Sequence, residues 1–415
     1  MKSLYLLTNQ KNKNMKHLSL FTLLAAFLLF VMPAKAQEEN AEDEKAYQFE
    51  IIKDIPTTSV KNQYRAGTCW SYSGLALLET ELIRTGKGEY DLAELFVVRK
   101  AYEDKADKYV RMHGKTNFGG GGAFYDVFYV YKHFGMMTED AYDGLNYGTD
   151  NHVHGELDHV LNAFVDAVIK NKNKELSTAW KRAYAGILDA YLGEIPETFE
   201  VNGKTMTPKA FADDLGLDMD DYINMSSYTH HPFYEQFILE IPDNWQWAES
   251  YNLPIDELMQ VVDNAIDNGY SIAWGSDVSE KGFSWTNGVA IVPETEKPSL
   301  DGLEQAKWET MSSSEKLKLL YSFDQIVPEK TITQEMRQEA FDNYQTTDDH
   351  GMLISGKAKD QKGNIYYKVK NSWDTNNIYD GYFYASQAFV KYKTMNIVVH
   401  KDAIPKAIKK KMGIK

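Results

Sequence analysis

The sequence predicts an α+β fold, with a helical half built first along the chain and an antiparallel sheet half built last. Three observations predict it. Leu75, Leu78, Leu82 and Ile83 recur near helical spacing between Trp70 and Arg84. Strand-like segments gather late, at Gly351 to Lys357, Asn364 to Lys370 and Tyr382 to Ala385. Between the two lies a charged tract, from about residue 143 to 250, expected to be a mainly helical insertion.

Taken in order, the first 36 residues hold five lysines and no acid. An apolar run, Leu18 to Met32, ends at Pro33-Ala34-Lys35-Ala36. A basic start, a short apolar core and an Ala-x-Ala exit describe a secretory signal peptide, with cleavage expected after Ala36 and residues 37–415 as the folded domain. The run is short for a membrane span, and no comparable run follows. The expected address is periplasmic or secreted. The remaining 379 residues carry 60 acidic and 40 basic side chains, a balance that disfavours nucleic acid and anionic membranes as partners.

An extended segment, Tyr47 to Ile52, leads to Pro56 and a loop. The helix from Trp70 stops at Gly86 and Gly88, and a second is expected from Asp91 to Tyr109. The glycine run Gly119 to Gly122 precedes a third, Phe124 to Phe134, stopped at Gly135. Gly155 to Leu192 is charged and helical in pattern, whereas Pro196, Pro208, Pro232 and Pro242 break the stretch after it. Pro254 to Asn268 reads as a helix, Tyr270 to Trp274 and Gly288 to Val292 as strands, and about 301 to 345 as helical again.

Cys69 is the only cysteine, so it forms no disulfide within the chain. It is left as an inert buried thiol, a link to another chain, or a nucleophile. Ala66-Gly67-Thr68 reads as a turn before the helix, which places the sulfur at the positive end of the helix dipole, where a thiolate is stabilised. Gln63, six residues earlier, can supply a side-chain N–H beside the Cys69 backbone N–H, two donors for a developing oxyanion. His350 stands at the start of an apolar strand, and Asn371-Ser372-Trp373 follows 21 residues later at the end of the next. Adjacent antiparallel strands bring such a pair within hydrogen-bond reach, with Asn371 orienting the imidazole and Trp373 shielding the bond. Of the remaining histidines, His152, His154 and His159 lie in the charged tract without the matching carboxylate or cysteine spacing of a metal site, and His230-His231 precedes Pro232 in a loop. No metal and no organic cofactor is expected.

Gln63…Cys69-Trp70, then His350, then Asn371-Ser372-Trp373 resembles the papain-like cysteine peptidases, and within them bleomycin hydrolase and aminopeptidase C. The resemblance implies Cys69 as nucleophile, His350 as base and acid, Asn371 as its orienter and Gln63 as oxyanion donor. It implies that the backbone of Gly121-Gly122-Ala123 pairs with a bound peptide just ahead of the cleaved bond. It further implies a C-terminal arm, about 403–415, threaded into the cleft so that the Lys415 carboxylate meets the substrate's free amine, making an aminopeptidase. A homohexameric ring belongs to the same resemblance. A helical insertion accounts for the 281 residues between Cys69 and His350. Three departures stand out: Gly351 where alanine is usual, Asp374 where glycine is common, and an export signal on a family usually cytoplasmic. Two other functions stay open, a papain-like endopeptidase or amide hydrolase with an open cleft, and a non-catalytic scaffold on the same fold.

Overall fold

The computed structural model describes residues 46–172, 175–295, 308 and 310–414. The expected signal and its cleavage site, and Lys415, lie outside them. Strand β1 is Phe49–Asp54, and three helices follow, α1 (Cys69–Arg84), α2 (Glu94–Arg111) and α3 (Phe124–Phe134). The tract expected to be helical opens with α4 (Gly155–Ile169) and α5 (Ala179–Leu192), then a hairpin of β2 (Phe199–Val201) and β3 (Lys204–Met206) and the short α6 (Pro208–Leu215). Its remainder differs from expectation. The prolines leave room only for short extended pieces, and β4 (Tyr222–Ser226), β5 (Gln236–Ile238) and β6 (Glu249–Asn252) join the main sheet as its edge.

Helix α7 (Ile255–Asp267) leads into β7 (Ile272–Ser276), and the short β8 (Phe283–Ser284) and β9 (Val289–Ala290) follow. The stretch expected to be helical from 301 to 345 forms two separate helices where it is described, Ser313–Leu320 and Gln334–Asp342. The three late strands are β10 (His350–Asp360), β11 (Ile365–Lys370) and β12 (Tyr382–Ser386), and a further strand, β13 (Thr394–His400), comes after them.

These pieces make one eleven-stranded mixed sheet, ordered β5-β6-β4-β13-β7-β10-β11-β12-β9-β8, with β1 also paired to β10. Its registers align Val398, Ala273 and Leu353 in one row across β13, β7 and β10. That row joins the core of α1, α2 and α3. The next row, Ile397, Trp274 and Met352, joins a second core with α7. Period-two alternation thus divides the two cores across the sheet. Leu75, Leu78 and Leu82 of α1 are fully buried, each contributing about 1.5–3 kcal/mol.

A polar link fixes α1 against β11. Glu79 accepts from the Leu92 N–H at 2.9 Å and from the Thr58 hydroxyl, and that hydroxyl accepts from Lys370 Nζ at 3.0 Å. Lys370 is the residue before Asn371, so the link places the end of β11 beside the start of α1.

The C-terminal arm is not in the position expected from the resemblance. Lys406–Met412 forms a helix, and Ile408, Met412 and Ile414 pack into the α7 core, on the other side of the sheet from α1. Lys409 pairs with Asp402 and Lys411 with Glu257 of α7. The physical reason is amphipathicity: an apolar stripe finds its partner on α7 while the lysines reach acids beside it.

Candidate active site

Cys69 opens α1 after the turn at Thr68, and it is half-buried. His350 opens β10 and is 5% exposed. The start of β10 reaches the first turn of α1 because Gly351 has no side chain. A Cβ there would come 2.7 Å from Ser73 Oγ, 3.2 Å from the Phe124 ring and 3.4 Å from the Trp70 Cα. With hydrogen alone at that position, β10 lies directly on the first turn of α1, and the Gly351 N–H helps stabilise charge on the sulfur. The departure from alanine at this position is therefore a packing requirement of this chain.

His350 Nε2 lies 2.7 Å from Asn371 Oδ1, which also accepts from the Ser372 N–H at 2.8 Å. A carbonyl oxygen can only accept, so Nε2 carries the proton and Nδ1 is the basic nitrogen. The Trp373 ring stacks on the imidazole at 4.6 Å between centroids and covers the bond. Asp374, just beyond, has φ +66°, the left-handed region where glycine is common and aspartate tolerated. Its N–H donates to the Lys61 carbonyl at 3.1 Å, which closes this segment onto the loop before Cys69.

Gln63 is placed by the same segment. Its N–H donates to the Ser372 carbonyl at 2.9 Å, and its Oε1 accepts from the Ser372 hydroxyl at 2.6 Å. Nε2 donates one proton to the Ala66 carbonyl at 2.7 Å, leaving the second available. Ser372 was not singled out in the sequence, yet it decides which end of the Gln63 amide is the donor. Its place between Asn371 and Trp373 was the available signal.

Gly121, Gly122 and Ala123 lie against the same helix start. Trp70 Nε1 donates to the Gly120 carbonyl at 3.0 Å, and a Cβ on Gly122 would sit 2.8 Å from the Trp70 ring. Buried Lys105 donates to the carbonyls of Gly119 and Gly121 from beneath. Asp243, from the loop before β6, rests on Gly121, where any Cβ would collide with its carboxylate. No spacing in the sequence pointed to Lys105 or Asp243. Lys415 lies outside the described residues, and its neighbour Ile414 belongs to the α7 core.

Burial pushes the Cys69 thiol up to about 12, opposed by the N–H groups of Gly351 and Trp70, and reinforced by Asp348 and Asp243. Burial likewise pushes His350 down to about 4, opposed by Asn371 and Asp349. Moving the proton from sulfur to imidazole exchanges two neutral groups for a thiolate and an imidazolium, whose opposite charges attract.

His230, His231 and Glu240 are the one group among the described residues with metal-ligand spacing. Both imidazoles already bond the Glu240 carboxylate, at 2.8 and 3.2 Å.

Comparison with known proteins bears on the fold and the class of activity. A model of the Peptidase C1-like family matches residues 307–414. Aminopeptidase C of Listeria innocua is 22% identical, covering 90% of this chain and 87% of the relative. Aminopeptidase C of Streptococcus thermophilus is also 22% identical, covering 89% and 85%. The crystal structure of PepW from Lactobacillus rhamnosis superposes with a TM-score of 0.66 at 17% identity, over 88% of this chain and 84% of that one. The fold is papain-like, and a thiol at a helix start, packed beside the strand that begins with an imidazole bonded to a carboxamide, is the arrangement of a cysteine peptidase. Within that class, the relatives it resembles along most of its length are the C aminopeptidases.

Proposed function

We propose that this protein is an exported cysteine aminopeptidase acting through an acyl-enzyme. The observation that carries the proposal is the 2.7 Å bond from His350 Nε2 to Asn371 Oδ1, with Gly351 seated on the first turn of α1. That bond leaves Nδ1 to take the Cys69 proton. The thiolate attacks the scissile carbonyl carbon, and its oxygen takes up negative charge beside the Cys69 N–H and the second Gln63 Nε2 proton. His350, now protonated, gives its proton to the leaving amine as the C–N bond breaks. A water then loses a proton to His350 and attacks the thioester, releasing the acid and restoring the thiol.

Preference for free N-termini follows from the aminopeptidase C relatives, and export from the pattern of residues 1–36. A homohexameric ring is the corresponding proposal for assembly. Packing of the arm on α7 favours a second reading, an endopeptidase with a cleft open ahead of the cleaved bond. One assay separates them: aminoacyl-fluorophores compared with their N-acetylated forms. The aminopeptidase turns over the free amine far faster; equal rates establish the endopeptidase. N-terminal sequencing of exported protein checks the signal, with Gln37 as the expected first residue.

A further inference from the structure

With the arm on α7, something else must close the cleft if the substrate is to lose one residue at a time. The segment between β5 and β6 runs over the glycine loop and is firmly docked there. Trp245 Nε1 donates to buried Asp126 at 2.7 Å, and Asp126 also accepts from the Ala123 N–H at 3.2 Å. Asn244 Nδ2 bridges the carbonyls of Leu239 and Ala248 at 3.0 and 2.9 Å, and Trp247 carries Lys108 over its ring at 3.6 Å. Asp243 is thereby pressed onto Gly121, the place where a residue ahead of the scissile one would pair its backbone. Asn117 Nδ2 orients the carboxylate by donating to Oδ1 at 3.0 Å.

The charge around it is unbalanced. Asp348, two residues before His350, has no hydrogen-bond or ion-pair partner among the described residues, and it shares its field with Asp243 and with Cys69. Burial, Asp243 and Asp349 together hold its carboxyl up to about 8. Lys105, the nearby cation, donates to the carbonyls of Gly119 and Gly121, and its charge lowers the Asp243 carboxyl without offsetting the burial that raises it. Two carboxyls that resist ionising together, beside a sulfur that must become anionic, oppose catalysis unless the substrate brings positive charge.

We propose that Asp243 is the specificity-determining residue, filling the cleft over Gly121 and receiving the substrate's α-ammonium in place of the chain's own C-terminal carboxylate. This rests on the aminopeptidase reading. The test is kcat/KM for a leucyl-fluorophore and its N-acetyl form, in wild type and in Asp243→Asn, Asp243→Ala and Asp243→Glu. Asp243→Asn is expected to lower the free-to-blocked ratio about tenfold or more, chiefly through KM for the free amine. Asp243→Ala is expected to lower it further by admitting the blocked substrate, while Asp243→Glu retains more of it than the asparagine variant. Thermal melting establishes that each variant is folded. Should one fail to fold, Asn117→Ala, at an exposed position, removes only the orienting bond and lowers the ratio about threefold. A wild-type preference for free amines that all these variants keep overturns the assignment of Asp243 alone. Wild type without such a preference overturns both that assignment and the aminopeptidase reading.

Discussion

The segments Asn62–Trp70 and Ile404–Ile414 share one family resemblance, yet the fold holds them in different ways. Around Asn62–Trp70, each group the chemistry needs has its own partner in the fold: Gln63 on Ser372, Trp70 on Gly120. Ile404–Ile414 has no such tie to the cleft, and its apolar stripe packs on α7 instead. The catalytic spacing is tied down by the contacts of Gln63 and Trp70, because the chemistry needs each group in one place. The course of a terminus is set by local packing and is free to differ.

Four experiments sharpen or break this contrast. The largest effect belongs to the thiol–imidazole pair. His350→Ala should lower the alkylation rate of Cys69 by iodoacetamide at pH 7 by roughly 10²-fold or more. Without the imidazole the sulfur must give its proton to solvent, and burial has pushed that step up to about 12. The variant's rate should therefore climb steeply with pH where the wild-type rate is nearly level around neutrality. Equal rates at pH 7 would show that the pair does not interact.

Next comes Gln63→Ala, expected to cost about 10²–10³ in kcat with little change in KM, as loss of one oxyanion donor does. A change confined to KM would place Gln63 in ground-state binding instead. Gly351→Ala is a smaller perturbation of the same region. The added methyl meets Ser73 Oγ at 2.7 Å, and relieving such overpacking costs about 1–3 kcal/mol. Melting temperature and kcat should both fall, and adding Ser73→Ala should recover part of each. No recovery would mean that Ser73 is not the obstacle.

The smallest effect on catalysis should come from deleting residues 406–415. Loss of buried Ile408 and Met412 should cost on the order of 3 kcal/mol and lower the melting temperature by several degrees. The ratio of blocked to free-amine turnover should not move. A rise in that ratio would return the arm to the cleft.

Much of the fold was legible because its signals are local. Leu75, Leu78 and Leu82 marked α1, and Gly135 marked the end of α3. The part that was not legible depends on partners distant in sequence. Tyr222–Ser226 carries no strong strand signal of its own, and it is a strand because β13 lies beside it. β13 is not legible either, although Ile397, Val398 and Val399 form a short apolar run, because such runs do not declare strand or helix alone. At the site, the positions of Cys69, His350, Asn371 and Gln63 were readable from residue type and interval. Asp243 and Lys105 were not, since an acid in a loop and a lysine in a helix are ordinarily solvated. The arm differs for another reason: Ile404, Ile408 and Met412 make a short apolar stripe interrupted by lysines, too weak a pattern to name its packing partner.

The row of Val398, Ala273 and Leu353 beneath α1 has one further consequence. The helix carrying the sulfur and the strand carrying the imidazole rest on a shared foundation, so a fluctuation that parted them would have to shear three strands at once. Loops around the mouth, including the one bearing Asp243, can then diverge or be redesigned for new substrates without detuning the reactive pair.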